Sequence, residues 1–516
     1  MRASTRNPFL PLALVAALAA ACASTPSRPE AASAQLAPPL SIAPPDRAAV
    51  PPKGPPPALK VPAQQHFALS NGLKVRLVEY HRLPIVSLDL TLDAGAVHDP
   101  AALPGLASFT ASMLTEGTTT RSATQISDDL GFIGASVSAG AGFDQASVSG
   151  GGLSRHLDKL LEIFSDVTLR PSFPQADFAR VQNARMVSLL QQRDVPGVAA
   201  AKAFGKLYWA GHPYGHWIGG TEASTTATKR ADLAAYHQRL FVPNAAELVV
   251  VGDVTRAELE PKLEKAFGSW KPGQAPAAPS AAIPERPLRT LLVDKPDASQ
   301  TLVMFGTPGL DRKSPDFVAT EVAFQILGGG SASRLFRELR EKHGYTYGIY
   351  VREEARKLGG TSYIAGNVKA DVTGAALKAL FEQVQLMRDV PVSQAELDDA
   401  RSSLALSLPA DFATAGGIAG KLAEEVTYGF PDGYWDTYVQ AIGKVTAADV
   451  QAAVRKYLDP AKLTLVLVGN AAEVKPQLEG FPIGAIKVEP MAVAAQGGGD
   501  GPVVGEDEED RAPGRR

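Results

Sequence analysis

The chain has 516 residues, a formal net charge of −3 and a single cysteine. A chain of this length holds about two to four domains with sizeable hydrophobic cores. The near-neutral charge gives no electrostatic basis for nucleic-acid binding. One cysteine excludes an intramolecular disulfide and a cysteine-based zinc site. The eight histidines are scattered, so any metal site depends on their spacing.

The N-terminus is typical of an export signal. Early arginines precede an apolar run over residues 9–21, which is too short to span a bilayer comfortably. Small residues then lead into Cys22, an arrangement that resembles a bacterial lipoprotein cleavage site. We therefore predict a signal peptide over 1–22 with Cys22 lipidated; the alternative is an ordinary secretory signal that leaves a free cysteine. Ala23 after the cysteine resembles sorting to the periplasmic face of the outer membrane.

A Pro- and Ala-rich linker over 23–63 separates this signal from the first folded segment, which starts at residue 64. Two alternating arms flank Ser70-Asn71-Gly72 and predict a β-hairpin. Alternation from Ile85 to Val97 predicts a further strand. Apolar periodicity predicts helices over 106–115, 123–130, 153–168, 176–194, 196–209 and 229–240, and strands within 134–150 and over 246–251.

The second half of the chain repeats the plan of the first. FVPNAAELVVVGD at 241–253 recurs as YLDPAKLTLVLVGN at 457–470, with the proline and the last glycine at one common offset. Two similar halves predict two homologous α+β domains, each a mixed, mostly antiparallel sheet packed with helices. The predicted boundaries are 64–272 for the first domain, 273–287 for a Pro/Ala-rich linker, 288–483 for the second domain and 484–516 for a disordered acidic tail.

The stretch with the most distinctive local signals begins at three glycines, residues 328–330. Glycine supplies backbone freedom that ends one element, and Ser331 or Ser333 can then cap a helix. Gly344 is placed to end that helix. Arginines recur every three residues along it, at 334, 337 and 340.

A strand follows that helix directly. Alternation predicts that Tyr345, Tyr347, Ile349 and Val351 point to one side of it. Arg340, in the last helical turn, and Tyr347, early in the strand, are then expected to meet at the helix–strand corner. Two such donors suit a carbonyl or a developing oxyanion. The alternative is a solvated helix-end charge beside an ordinary sheet residue.

The pattern GGG-x-x-SRLF-x-ELREK-x-G-x-x-Y resembles the C-terminal-half signature of the pitrilysin superfamily. This superfamily includes insulinase (insulin-degrading enzyme) and mitochondrial processing peptidase, and the similarity runs from about Gln65 to Phe481. The resemblance implies the fold of the mitochondrial processing peptidases, in which two homologous domains form half of a clam shell. It also implies a role for Arg340 and Tyr347, because an Arg and a Tyr with this spacing bind the scissile peptide opposite the zinc site.

Active members of the superfamily carry H-x-x-E-H on a helix. Two histidines four residues apart share one helix face and bind zinc, and the glutamate activates the metal-bound water. The resemblance places Ser108, Ala111 and Ser112 at the His, Glu and His positions. Serine is a poor zinc ligand and alanine has no proton acceptor. The downstream segment 181–197, where a further glutamate is implied, contains none. These positions predict no zinc and no other cofactor in this chain.

His212 and His216 are also four residues apart. Pro213 and Gly215 between them argue against a helix, so the two rings are not expected to share a face. We interpret the pair as packed or loop-capping histidines.

Some members of the superfamily work as two chains, one with the zinc motif and one with the Arg/Tyr pair. The main hypothesis is therefore the non-zinc subunit of a periplasmic zinc metallopeptidase. Its partner would be a zinc-bearing H-x-x-E-H homologue in a heterodimer or heterotetramer, and its substrates unfolded peptides. The alternatives are an inactive structural or peptide-binding scaffold, like the non-catalytic core subunits of respiratory complex III, and an active single-chain peptidase with an unrecognised site.

Overall fold

The computed structural model describes residues 59–277, 279–282 and 287–491. The predicted signal peptide, Cys22 and the acidic end of the tail lie outside the described residues. The described part contains two six-stranded mixed sheets, each packed with helices. None of its helices has both the length and the apolar character needed to cross a bilayer.

The first half contains the elements that the sequence predicts, with ends that differ by a few residues. Its strands are β1 (Gln65–Ala68), β2 (Lys74–Glu79), β3 (Ile85–Leu92), β4 (Ser136–Ala141), β5 (Ala146–Leu153) and β6 (Ala246–Gly252). Its helices are α1 (Leu106–Ser112), α2 (Ala123–Phe132), α3 (Leu157–Leu169), α4 (Gln175–Gln191), α5 (Pro196–Tyr208), α6 (Glu222–Ala227), α7 (Arg230–Leu240) and α8 (Arg256–Phe267).

The second half follows the same order of elements. Its strands are β7 (Arg289–Asp294), β8 (Gln300–Pro308), β9 (Thr346–Arg356), β10 (Gly359–Lys369), β11 (Thr464–Gly469) and β12 (Ile486–Pro490). Its helices are α9 (Phe317–Gly328), α10 (Thr373–Asp389), α11 (Gln394–Asp411), α12 (Ala415–Tyr428), α13 (Tyr434–Lys444), α14 (Ala447–Tyr457) and α15 (Ala471–Gln477). A π-helix (Phe336–Lys342) lies between α9 and β9.

Strand β12 extends the second half beyond residue 483, the boundary set by the loss of apolar periodicity. It pairs in parallel with β7 at the edge of the sheet. Most of its residues are only partly buried or exposed. Its residues IKVEP do alternate apolar Ile486 and Val488 with charged Lys487 and Glu489, a short strand signal that the boundary at residue 483 misses.

The strand orders show the internal repeat. They are β1-β2-β6-β3-β5-β4 in the first sheet and β12-β7-β11-β8-β10-β9 in the second. The two repeated segments form β6 and β11, which occupy the same position in each sheet and run parallel to β2 and β7. The sheets differ at one edge, because β1 is antiparallel to β2 whereas β12 is parallel to β7. The prediction of two homologous α+β domains is confirmed.

One helix of each half also packs against the sheet of the other half. Helix α5 packs on β8 and β11, and helix α12 packs on β3 and β6. Alternate residues of β8 therefore enter different cores: Met304 joins the core of the first half and Phe305 that of the second. The contact is close, since a Cβ added to Gly306 would lie 2.3 Å from Cζ of Phe204 in α5.

Candidate functional site

The Arg340 region is shaped by a π-helix. Ser333 precedes the helical stretch that begins at Arg334 and continues into the π-helix, and its hydroxyl accepts a hydrogen bond from the Phe336 backbone N–H at 3.4 Å. Gly344 ends it with φ +65°, as the sequence predicts. The chain turns at once, and the Tyr345 N–H donates to the Leu339 carbonyl at 2.8 Å. Single π-helical turns are rare and are often found at functional sites.

A β-bulge determines where Tyr347 points. On β9, Gly348 pairs with Asn367 and Thr346 pairs with Val368, so Tyr347 is an extra residue with no partner opposite it. Its side chain is 76% exposed, whereas that of Ile349 is fully buried. The prediction that Tyr347 shares a face with Ile349 is therefore wrong, because a bulge breaks the alternation on which it was based.

The bulge is held by the Thr346 side chain. Its hydroxyl donates to the Asn367 carbonyl at 2.5 Å and accepts from the Gly348 N–H at 3.0 Å. Thr346 itself is buried. These bonds satisfy backbone groups that the disrupted ladder leaves without a partner, so the outward direction of Tyr347 is fixed by its own backbone.

Arg340 and Tyr347 meet, as the sequence predicts. The guanidinium carbon of Arg340 lies 4.7 Å from the centroid of the Tyr347 ring. Within the described part of the chain, neither the guanidinium nor the phenol hydroxyl has a hydrogen-bond or ion-pair partner. Arg334 differs, since it forms a two-pronged ion pair with Glu396 at 2.7 and 2.9 Å. The corner therefore presents two free donors on a fixed backbone.

The three positions implied for zinc lie on α1 and are occupied by bonded or buried groups. The Ser108 hydroxyl donates to the Ile218 carbonyl at 2.7 Å. The Ser112 hydroxyl donates to the carbonyl of Phe109, in its own helix, at 2.9 Å. Ala111 is 1% exposed.

Arg185, on α4, is also part of this site, although no motif in the sequence points to it. Its Nη2 donates to Ser108 Oγ at 2.8 Å, to the Gly219 carbonyl at 3.1 Å and to the Gly105 carbonyl at 3.3 Å. The guanidinium also packs on the Phe109 ring, 4.8 Å from its centroid. Burial lowers the pKa of Arg185 to about 10, so the group is charged at neutral pH. The sequence does carry one sign of it: Arg185 is a cation within segment 181–197, where the family resemblance implies a glutamate.

These residues do not fit a zinc ion. Two hydroxyls donate to carbonyls, one position is an alanine, and a guanidinium adds positive charge where a cation would bind. No group of three or more His, Cys, Asp or Glu within residues 59–277, 279–282 and 287–491 is placed to hold a metal.

The histidine pair lies in a loop. His212 Nδ1 accepts from the Tyr214 N–H at 3.0 Å. His216 Nε2 lies 3.2 Å from the Asp99 carboxylate. The segment between them is not helical, so the two rings do not share a helix face.

A polar cavity of about 400 Å³ lies between the halves, lined on one side by Asp89 and Ser147 and on the other by Arg312, Glu353 and Glu424. Burial raises the pKa of Glu353 to about 8. Its carboxyl accepts hydrogen bonds from the Ser362 hydroxyl and, at 3.2 Å, from the Leu310 N–H. Burial also raises the pKa of Asp89. The cavity therefore holds carboxyl groups that resist ionisation.

Glu353→Gln should stabilise the protein at alkaline pH. A carboxyl whose pKa is about 8 in the folded protein and ordinarily 4.5 binds its proton more tightly in the folded state. Stability is then full below about pH 4.5 and falls as pH rises to about 8. In glutamine the amide oxygen can still accept from the Leu310 N–H, the amide NH2 can donate to the Ser362 hydroxyl oxygen in the reverse direction, and there is no charge to bury. We expect thermal denaturation to show a Tm gain of a few degrees at pH 8.5 and little change at pH 5; an equal change at both would contradict the assignment.

The fold and the two sites define a two-domain, peptidase-like α+β protein. Two family models match the chain: insulinase (peptidase family M16) over residues 74–200 and the peptidase M16 inactive domain over residues 228–404. A peptidase M16 inactive domain from Pseudomonas fluorescens, solved by crystallography, is 30% identical with a TM-score of 0.75, and the match covers 79% of this chain and 98% of that one. The chain belongs to peptidase family M16, as the resemblance to the pitrilysin superfamily predicts.

Further relatives cover most of the chain. A non-peptidase homologue, YmxG, of Helicobacter pylori is 24% identical over 413 residues, which are 78% of this chain and 94% of that protein. An uncharacterized zinc protease of Bacillus subtilis, also YmxG, is 22% identical over 346 residues, 67% of this chain and 83% of that protein. The crystal structure of a protease from Helicobacter pylori has the same fold, with a TM-score of 0.73 at 20% identity, over 79% of this chain and all of that one.

Proposed function

We propose that the chain is the non-zinc subunit of a heteromeric periplasmic zinc metallopeptidase, to which it contributes Arg340 and Tyr347. The observation that carries the proposal is this pair of converging donors without a polar partner among the described residues. A bulge, a π-helix and a capping serine position the pair, and such local features are costly to keep without a use.

In the proposed mechanism, a peptide lies with its scissile carbonyl towards this corner. The Tyr347 hydroxyl and a guanidinium N–H of Arg340 donate to the carbonyl oxygen, on which negative charge grows as water adds. The donors are already in place before the reaction, so little reorganisation opposes the charge as it forms. The partner subunit's zinc would supply the activated water, since α1 of this chain does not fit a metal.

The proposed partner is a homologue of the same family with an intact H-x-x-E-H motif, as a heterodimer or heterotetramer. One relative is named a non-peptidase homologue, which supports a chain that does not cleave peptides by itself. Nothing in the composition favours nucleic acid as a partner, since the net charge is −3.

We further propose that Cys22 is lipidated and anchors the subunit at the periplasmic face of the outer membrane. A lipoprotein carries several acyl chains, which give stable attachment where one chain would not. Mass spectrometry of the mature N-terminus should find a triacylated Cys22. An unmodified start at Ala23 or beyond would contradict the anchor.

A reconstitution experiment tests the function. The purified chain and an H-x-x-E-H homologue from the same organism are assayed alone and mixed, with a generic unfolded peptide and with zinc analysis of each. We expect zinc only on the homologue and peptide cleavage only in the mixture. A chain that alone binds about one zinc, as a catalytic site would, and cleaves peptide would overturn the proposal.

The second candidate is a catalytically inactive structural or peptide-binding scaffold. The filled site on α1 favours it, because Ser108 and Arg185 bond to each other at 2.8 Å rather than facing a ligand. In the reconstitution, this candidate predicts an assembled complex whose activity does not depend on Arg340 or Tyr347.

A further inference from the structure

We infer that the Arg185 guanidinium occupies the volume in which zinc-bearing members of this family hold the metal, so that a fixed organic cation replaces the ion in this chain. The family resemblance places Ser108 at the position of the first zinc-binding histidine, and Arg185 Nη2 lies 2.8 Å from its oxygen. The inference concerns the first half alone and does not depend on the role proposed for Arg340 and Tyr347.

The surroundings of the guanidinium are those of a cation site. Three oxygens accept hydrogen bonds from its Nη2: the Ser108 hydroxyl and the carbonyls of Gly105 and Gly219. The Phe109 ring offers its face at 4.8 Å, a contact that also favours positive charge.

The carboxylate of Asp99 lies at the start of the same helix as Ser108. Asp99 accepts from the Gly105 N–H at 2.7 Å and from the Ala107 N–H at 2.8 Å, at the start of α1. Its side chain is 1% exposed and also faces His216. Its negative charge favours the charged form of Arg185. The site therefore has the polarity that a metal would need but lacks the ligands to bind one.

The guanidinium also connects three parts of the chain. It belongs to α4, and its hydrogen bonds reach α1, the residue that precedes α1, and the loop at Gly219. Structural metals stabilise small sites by holding separate segments together, and Arg185 is placed to do the same here. We therefore expect it to stabilise the first half.

The first test restores the ligands with and without the guanidinium. One variant carries Ser108→His, Ala111→Glu and Ser112→His together with Arg185→Glu; the matched control carries the first three substitutions and keeps Arg185. After dialysis against zinc, we expect about one zinc per chain in the first and none in the second. Equal zinc binding by both would overturn the inference, because it would show that zinc can enter the site while the Arg185 guanidinium is still there.

A second test uses single substitutions, so that it decides the matter if the fourfold variant does not fold. Arg185→Ala should lower the Tm, and guanidinium ion at concentrations well below the denaturing range should raise it again by refilling the site. Arg180→Ala, on the exposed side of the same helix, serves as the control and should show no such rise. A Tm of Arg185→Ala that equals that of the native chain, or that guanidinium does not raise, would contradict a bound cation that holds the segments together.

Discussion

Tyr347→Phe should lower the kcat of the assembled peptidase by about 10²–10³ with little change in KM, which is the usual cost of removing one oxyanion donor. The substitution removes one hydroxyl from a ring that is 76% exposed, so packing is not disturbed. The bulge that directs the ring is held by Thr346, which the change does not touch. Steady-state kinetics on the reconstituted complex, with size-exclusion chromatography to confirm assembly, measures the effect.

Arg340→Lys should be impaired to a similar degree. Lysine keeps the charge but loses the planar fork with its several N–H donors. Arg337→Ala is the matched control, since Arg337 lies on the same helix, is exposed and is not adjacent to Tyr347. Full activity of Tyr347→Phe in an assembled complex would make the pair structural and would favour the scaffold candidate.

The sequence predicts that Arg340 and Tyr347 meet, but not how. Gly344 and the strand that follows predict the corner correctly. The alternation Tyr347, Ile349, Val351 then suggests a shared face, and the structure separates Tyr347 from it. A bulge depends on pairing with β10, which is not encoded in β9 alone. The polar side chain of Thr346 in that strand is the one local sign of it.

The repeat predicts two homologous domains but not their exchange of helices. The residues LVMF of β8 form a continuous apolar run, and such a run indicates burial on both faces. It does not say which element covers the second face. That helix is α5, Pro196–Tyr208, which lies far earlier in the chain than β8, Gln300–Pro308, and periodicity within a segment carries no information about so distant a neighbour.

Arg185 is missed for a related reason. Arginine is mostly found at the surface, so an arginine in a predicted helix is expected to be a surface residue. Its burial depends on Gly219 and on Ser108, which come from other segments. The sequence shows directly that the zinc motif is absent. That Arg185 occupies the site instead depends on the tertiary structure.

A buried ion pair joins the two halves and gives the second large expected effect. Arg76, on β2, donates to Glu425, on α12, at 2.6 Å and to Glu247 at 3.0 Å. The side chain of Glu425 is completely buried, and Gln64 also donates to it at 3.3 Å. Because α12 belongs to the second half and packs on the first sheet, this pair stabilises the contact between the halves.

Arg76→Met should destabilise the protein by about 3–5 kcal/mol at alkaline pH, since it leaves a buried carboxylate without its counter-charge. Burial raises the pKa of Glu425 to about 7 even with Arg76 present. A carboxyl with a raised folded-state pKa loses stability as pH rises from its ordinary value, 4.5, towards that pKa. The deficit measured by urea denaturation should therefore be smaller at pH 5 than at pH 8.

The double variant Arg76→Met/Glu425→Leu should recover most of the loss, because it removes both buried charges together. Arg82→Met, at an exposed arginine just after β2, is the control and should stay within about 0.5 kcal/mol of the native chain, as surface substitutions usually do. If Arg76→Met also stays within that range at pH 8, or if the double variant is no more stable than the single one, the ion pair does not stabilise the contact between the halves, and the packing of α12 on β3 and β6 alone must do so.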